Sequence, residues 1–419
     1  MKKSLVALAA LAATGAFAQS TVTIYGQADA SYARASSGAN SVSGIWAGGR
    51  GSNFVGFMGS EDLGGGLKAN FKLEAGYSLD SGAGAASNTN NQATGGVTTQ
   101  SGPATAPVIN SSSTAAGTQD RASLAGGQGL TFNRWSYVGL SGGFGEVRVG
   151  REYTPSFNAI LGADVVGANG VGNTLNMTLA LQGQSANLIG VGTSASNGVS
   201  YETPSFNGLR AKVQVISGEN PNGNGATGTL NAPKAGDGTA YHVYYNAGPL
   251  SAGVGGLTVK GTAVAASTGG SVVSSAGLPG EYEQASWYAK YDLGMALLTA
   301  GQVKETLNGS PTSTTTVYVN KSNVLGASIP VSGALKVNVN YVRSEYKAGT
   351  TVSGKGTQLS LQALYSLSKR TDLYAAYSVV DNTDANKFYG LGNGSGRMVT
   401  VPNNGDKSTG YQVGVRHNF

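Results

Sequence analysis

Along much of the chain, apolar and polar residues alternate strictly. Leu335, Val337, Val339 and Tyr341 fall on one side of an extended segment, with Lys336, Asn338 and Asn340 on the other. Leu359, Leu361, Ala363, Tyr365 and Leu367 repeat the pattern, followed by Leu373, Ala375, Tyr377 and Val379. The chain closes with Tyr411, Val413, Val415, His417 and Phe419. A period of two predicts strands with one apolar and one polar face. The polar face is mostly Gly, Ser, Asn and Gln, whereas the outside of a soluble sandwich would carry many charges. Aromatic residues recur near strand ends, at Tyr25, Tyr77, Tyr201, Tyr291 and Tyr346. Apolar outside, polar inside and aromatic at the boundaries is the pattern of a transmembrane barrel.

The connections alternate too. Short turns fall at Asp62–Gly66, Ser141–Phe144, Ser205–Gly208, Gly248–Pro249, Asp292–Gly294, Pro330–Gly333 and Ser368–Arg370. Long ones fall at 35–52, 80–130, 154–196, 218–237, 268–280, 307–311, 347–354 and 381–407. Seven turns and eight loops join sixteen strands. The prediction is an all-β protein, a 16-stranded antiparallel transmembrane β-barrel. A barrel of that size is too wide for wall side chains to fill, so it holds water. Its closure satisfies every backbone N–H and C=O inside the membrane, which an open sheet does not.

Composition narrows the choice. Charged residues are 11% of the chain against about 25% for an average soluble domain. Cysteine is absent, which removes disulfides and thiolate metal sites. The net charge of +6 comes from scattered Lys and Arg, so no nucleic-acid footprint is expected. Residues 1–18 read as a signal peptide: Lys2 and Lys3, an apolar stretch from Leu5 to Ala13, and Ala16-Phe17-Ala18 as the cleavage site. Residues 19–419 form the barrel. The 80–130 loop is low in complexity and is expected to lie outside the cell.

The segments Val22–Gly26, Gly59–Lys68, Tyr137–Gly142, Val149–Tyr153, Leu367–Tyr374 and Gly410–Phe419 resemble the general-diffusion porins of Gram-negative outer membranes, the beta-proteobacterial branch above all. The resemblance implies a homotrimer in the cell outer membrane that passes small hydrophilic solutes and ions by passive diffusion, without a cofactor. It also implies that the third long loop, 154–196, folds into the barrel and narrows it. That loop holds Leu161, Val165, Val166, Leu175, Met177, Leu179 and Leu181 but one acid, Asp164.

Opposite that loop, the resemblance places basic residues on the inner wall. Arg134 and Arg151 match such positions, Arg148 shares the polar parity of its strand, and Glu74 matches an acidic wall position. Counting parity from Arg134 puts Ser136 on the lumen side and Trp135 and Tyr137 towards lipid. Phe54 stands where the branch has Arg, no arginine stands near Val199–Glu202, and the third loop lacks a Pro-Glu-Phe-Gly-Gly type motif. The expected constriction, Arg134, Arg148, Arg151, Glu74, Asp164 and Phe54, is therefore weakly anion-preferring or near neutral. Phe419 resembles the C-terminal signal read by the barrel-assembly machinery. Outer-membrane lipid and lipopolysaccharide are the implied surroundings, and no metal site is expected.

A substrate-specific channel, with Phe54, Tyr153 and Phe157 as an aromatic path, is the alternative. An adhesin using the long loops is a lesser one. An enzyme is disfavoured, because the only histidines, His242 and His417, are far apart and no G-x-S-x-G turn is present.

Overall fold

A computed structural model describes residues 21–84, 130–181, 192–218, 236–268, 271–308, 318–349, 351–383, 388–392, 401 and 403–419. The expected signal peptide and most of the 80–130 loop lie outside the described residues. Seventeen antiparallel segments form one closed sheet. They are β1 (Thr21–Ser37), β2 (Asn40–Ala47), β3 (Phe54–Gly64), β4 (Leu67–Gly76), β5 (Trp135–Gly142), β6 (Gly145–Tyr153), β7 (Ser194–Glu202), β8 (Leu209–Ile216) and β9 (Gly238–Ala247), then β10 (Leu250–Thr268), β11 (Ser271–Asp292), β12 (Leu297–Asn308), β13 (Tyr318–Pro330), β14 (Leu335–Ala348), β15 (Thr351–Ser366), β16 (Thr371–Thr383) and β17 (Ser408–Asn418).

β1 pairs with β2 over residues 30–37 and with β3 over residues 21–27, so β2 and β3 are two halves of one barrel position. The barrel therefore has sixteen strands. Closure is between β1 and β17, and Gly26 and Phe419 exchange both backbone N–H···O=C bonds at 3.0 Å. A Cβ on Gly26 would lie inside the Phe419 ring, so this glycine lets the C-terminal ring lie across the seam.

Burial is inverted relative to a soluble protein. Val22, Ile24, Val138, Leu140, Val213, Val215, Leu325, Leu359, Tyr377 and Val413 are exposed, while Glu305, Asn320, Ser322, Asn340, Gln358, Ser360 and Ser378 are fully buried. The alternation read from β14 to β17 holds, with its apolar stripe outward. The aromatic boundary is only partly as expected. Tyr201 and Tyr291 face out, but Tyr25 bonds Glu74 inside, and buried Tyr346 stacks on Phe388 at 4.0 Å.

All seven short turns join consecutive strands as expected. The long connections differ in three places. β1 runs to Ser37 and β2 covers 40–47, so only the 38–39 turn and 48–52 of the expected 35–52 loop lie outside strands. β10 and β11 extend to Thr268 and from Ser271, and β14 and β15 to Ala348 and from Thr351. Runs rich in Ser, Thr, Gly and Val read as loop in isolation, yet they continue an existing ladder at the barrel rim, where a neighbouring strand supplies the hydrogen bonds.

Candidate pore constriction

The third loop enters the barrel. Thr154 caps α1 (Pro155–Ile160), its hydroxyl accepting from the Phe157 N–H at 3.2 Å, and Pro155 opens the helix. A 3₁₀ turn follows at Leu161–Ala163, and then α2 (Leu175–Thr178). Phe157, Ile160, Leu175 and Leu179 pack together with Val303 of the wall, and Met177 and Leu181 join a second apolar cluster with Leu257, Tyr282 and Leu307. The Tyr288 ring lies directly on Gly162, where a Cβ would overlap it. The apolar residues of the loop thus gain a dry partner that water could not offer.

The wall from β11 to β17 meets this loop mostly with neutral hydrogen bonds. Thr299 donates to the Ala163 carbonyl at 2.7 Å, Asn320 and Ser322 to that of Met177 at 2.8 and 3.1 Å, Gln358 to Asn173 at 3.0 Å and Gln362 to Val166 at 3.1 Å. Gln412 accepts from the Val171 N–H at 2.9 Å. Glu305 is fully buried and takes donors from Leu181 N, Tyr282 and Asn320. Phe388–Gly392, from the 381–407 connection, reaches both this wall and the loop: the Tyr389 hydroxyl donates to Asn320 at 2.9 Å, and the Gly392 N–H to Asn176 of α2 at 2.9 Å.

Asp164 serves this attachment rather than facing the arginines. Its carboxylate accepts from the N–H groups of Val166 and Gly167, from Thr174 and from Asn340, at 2.6 to 3.1 Å. Loss of water around it raises its pKa, and those hydrogen bonds oppose the rise. The expectation of Asp164 as the open acidic pole of a transverse field is corrected accordingly. An Asp two residues before backbone N–H groups is used by its own turn.

The opposite wall, β1 and β3 to β9, holds the larger cluster of charges. Arg134 ion-pairs with Glu74, which also accepts from the Tyr25 hydroxyl at 2.9 Å and lies 3.4 Å from Lys72 Nζ. Arg148 bonds Glu146 at 2.6 Å and Glu152 at 3.2 Å and lies 3.6 Å from Glu202. Lys212 reaches Glu152 at 2.5 Å, and Arg210 lies 3.8 Å from Glu202. Aromatic rings lie under the cations: Trp135 under Lys72 at 4.3 Å, Phe54 and Tyr153 under Arg134 at 4.9 and 5.4 Å, and Tyr137 under Arg148 at 5.2 Å. Five cations face four carboxylates, leaving one net positive charge.

Arg134, Arg148, Glu74 and Phe54 are therefore brought together on this wall, with two corrections nearby. Trp135 and Tyr137 face the lumen, not lipid. They pair across the ladder with Glu74 and Lys72, and cross-strand partners share a face, while Val138 and Leu140 point out. Arg134 precedes β5 in a bend, so parity counted from it does not carry into the strand. Arg151 pairs with Ser136 and has the outward parity of Val149. Its guanidinium donates to the Asn133 carbonyl at 2.5 Å and to Ser196 at 2.6 Å, bracing the strand end where the third loop departs.

Sequence reasoning missed Lys72, Glu146, Glu152, Glu202, Arg210 and Lys212, although inward parity of each charged strand position would have pointed to them. It also missed a second inward fold. Residues 48–53 interrupt the β2–β3 position. The buried Asp29 carboxylate accepts from the N–H groups of Gly49, Arg50 and Gly51 and from the Tyr374 hydroxyl. The turn carries Arg50 to 3.7 Å from Asp372, which also binds Arg416 at 2.5 Å. Burial and the neighbouring Arg416 lower the Arg50 pKa, while Asp372 and Asp29 oppose this.

An apolar exterior, a closed hydrogen-bonded wall and a charged, loop-narrowed interior define a transmembrane channel barrel. The comparisons with known proteins agree. A family model described as Gram-negative porin matches residues 4–385. The chain is 33% identical to outer membrane porin protein 32 of Delftia acidovorans, across the whole of both chains. It superposes on an anion-selective porin of Comamonas acidovorans with a TM-score of 0.71 and 28% identity, covering 96% of this chain and all of that one. OmpT of Vibrio cholerae, at 15% identity and a TM-score of 0.60 over 96% of this chain and 98% of that one, shares the fold. The chain belongs to the Gram-negative porin family and is an outer-membrane porin, a water-filled channel for passive diffusion.

Proposed function

We propose that this porin has a weak anion preference, set where the third loop faces the β3–β8 wall. The observation that carries the reading is the count of charges there: Arg134, Arg148, Lys72, Lys212 and Arg210 are met by Glu74, Glu146, Glu152 and Glu202. Near-complete pairing removes most of the field, and the remaining cation tilts it to positive, while Arg50 and Arg416 are balanced by Asp372 and Asp29. The relative from Comamonas acidovorans is described as anion-selective, which supports the same sign. Reversal potential across a KCl gradient in planar bilayers tests this. A modest anion sign is expected, and a cation sign overturns it.

The functional unit is proposed to be a homotrimer, as in the trimer form of the Vibrio cholerae relative. Export removes residues 1–18, and Phe419, at the seam, is the signal taken by the assembly machinery. Outer-membrane lipid and lipopolysaccharide surround the barrel. A substrate-specific path is the second reading, favoured by the row of Phe54, Trp135, Tyr137 and Tyr153 beside the cations. Saturable block by an aromatic carboxylate, such as benzoate, at submillimolar concentration would establish it over free diffusion.

A further inference from the structure

β1 changes partner in mid-strand. Its residues 21–27 pair with β3 and its residues 30–37 with β2, so among the described residues Ala28 and Asp29 have no strand partner on that edge. Buried backbone groups need partners, and the 48–53 turn supplies them. The Gly48 N–H donates to the Asp29 carbonyl at 2.8 Å, and the Asp29 N–H donates to the Asn53 side chain. The Asp29 carboxylate then gathers the next three N–H groups. Gly49 reaches one oxygen at 3.1 Å, and Arg50 and Gly51 reach the other at 2.9 and 2.7 Å. Consecutive N–H groups converging in this way form an anion-binding concavity, filled here by a fully buried residue of the wall itself.

The far side of the turn carries the third loop. Gln412 of β17 bridges the two, donating to the Gly49 carbonyl at 2.6 Å and accepting from the Val171 N–H at 2.9 Å. The Asn169 amide lies 3.4 Å from Ser52 Oγ. A Cβ on Gly170 would overlap the Gly49 carbonyl oxygen, so loop and turn are in direct contact. The turn then runs into Phe54, whose ring lies under Arg134 on the charged wall. It is therefore the corner where the loop tip meets that wall, and its position fixes one side of the opening.

We infer that Asp29 is a positioning residue for the aperture: its carboxylate folds the 48–53 turn into the support on which residues 167–171 of the third loop rest. The inference depends on the loop-narrowed lumen and not on the ion preference proposed above. Without the carboxylate, three N–H groups lose their common acceptor. An amide in its place keeps one acceptor oxygen and turns an NH2 group towards N–H donors. The turn then relaxes, the loop tip loses its support, and the opening admits larger solutes.

Because the chain has no cysteine, a Ser52→Cys, Asn169→Cys pair reports the contact directly. Under a mild oxidant the purified protein should crosslink readily, and about tenfold more slowly when Asp29→Asn is added, since charge-assisted hydrogen bonds are lost. In the cysteine-free chain, liposome swelling with neutral sugars reads the aperture without the change in charge. Asp29→Asn should raise the ratio of disaccharide to monosaccharide rates several-fold. Gln412→Leu should do the same, and the double variant should add nothing further, because both act through one turn. Gln412→Leu leaves the Asp29 contacts in place, so it carries the size test if Asp29→Asn does not assemble. A role confined to stability would lower the yield of folded protein and leave the sugar ratio alone. The inference is overturned by a cysteine pair that does not crosslink, or by equal crosslinking with and without Asp29→Asn. An unchanged or lowered sugar ratio in either assembled variant, or additive effects in the double variant, overturns it too.

Discussion

Glu74→Gln isolates what charge on the β3–β8 wall does to ions. Glu74 is almost fully buried behind Arg134, Lys72 and Tyr25, and the substitution keeps its shape while releasing two cations from their shared acid. The wall's net charge rises from one to two. An ion passing about 5 Å away feels roughly 0.8 kcal/mol per unit charge in water. A Debye length of about 10 Å at 0.1 M salt reduces this to about 0.5 kcal/mol. That favours an anion and disfavours a cation by a little over twofold each, so the anion-to-cation permeability ratio should rise about fivefold. At 1 M salt the Debye length is about 3 Å, and the same arithmetic gives a change of less than twofold. The assay is reversal potential in a KCl gradient at the two salt levels. A shift towards cations, no shift at low salt, or a shift of equal size at both salt levels would refute a screened electrostatic origin.

Other perturbations separate the remaining elements. Arg50→Gln removes one lumenal cation and leaves Asp372 with Arg416, so the anion preference should fall by a factor similar to that gained in Glu74→Gln; an unchanged reversal potential would place Arg50 outside the ion path. Asp164 anchors the third loop as an ionised acceptor, and its raised pKa means that this anchor is present above the raised value and lost as pH falls through it. Single-channel noise should therefore grow on acidification, whereas Asp164→Asn should be noisy and pH-insensitive from the start; a quiet Asn variant would exclude the anchoring role. Deleting Phe419 removes both seam bonds to Gly26, and heat-resistant oligomer on unboiled gels should be largely lost, with normal yield counting against the assembly role.

The barrel was legible because its rule is local. Membrane-facing alternation from Leu335 to Val379, and again from Tyr411 to Phe419, needs no tertiary knowledge, and each short turn marks a hairpin. The site was legible only in part, for reasons that are equally local. Arg148 and Glu74 lie within strands, so strand parity gives the face they share. Trp135 and Tyr137 were inverted because parity was counted across the bend at Arg134. Arg151 occupies the face opposite to Arg148, and the odd spacing between the two would have shown it. Asp164, Arg50 and Glu305 depend on where irregular chain re-enters the barrel, and a sequence does not state which carboxylate a backbone N–H will reach.

The two sides of the lumen divide the labour of the pore, and this accounts for the chain's unusual economy of charge. One side must hold a loop, and a loop presents carbonyls and N–H groups. Asn, Gln, Ser and Thr match those groups without the desolvation cost of ions, and they supply the contacts from Thr299 to Gln412. The other side must remain wet and act on solutes, and there Lys, Arg and Glu are gathered in mutual contact over aromatic rings. Pairing keeps the cations extended along the wall, and their rings give them a fixed height above it. Attachment and selectivity should accordingly be separable. Asn320→Ala and Gln358→Ala each remove about 1 kcal/mol of loop attachment and should alter channel noise with ion preference intact. Changes among Glu74, Arg134 and Lys212 should do the reverse. Because each wall is built from consecutive strands, either property can change without disturbing the other.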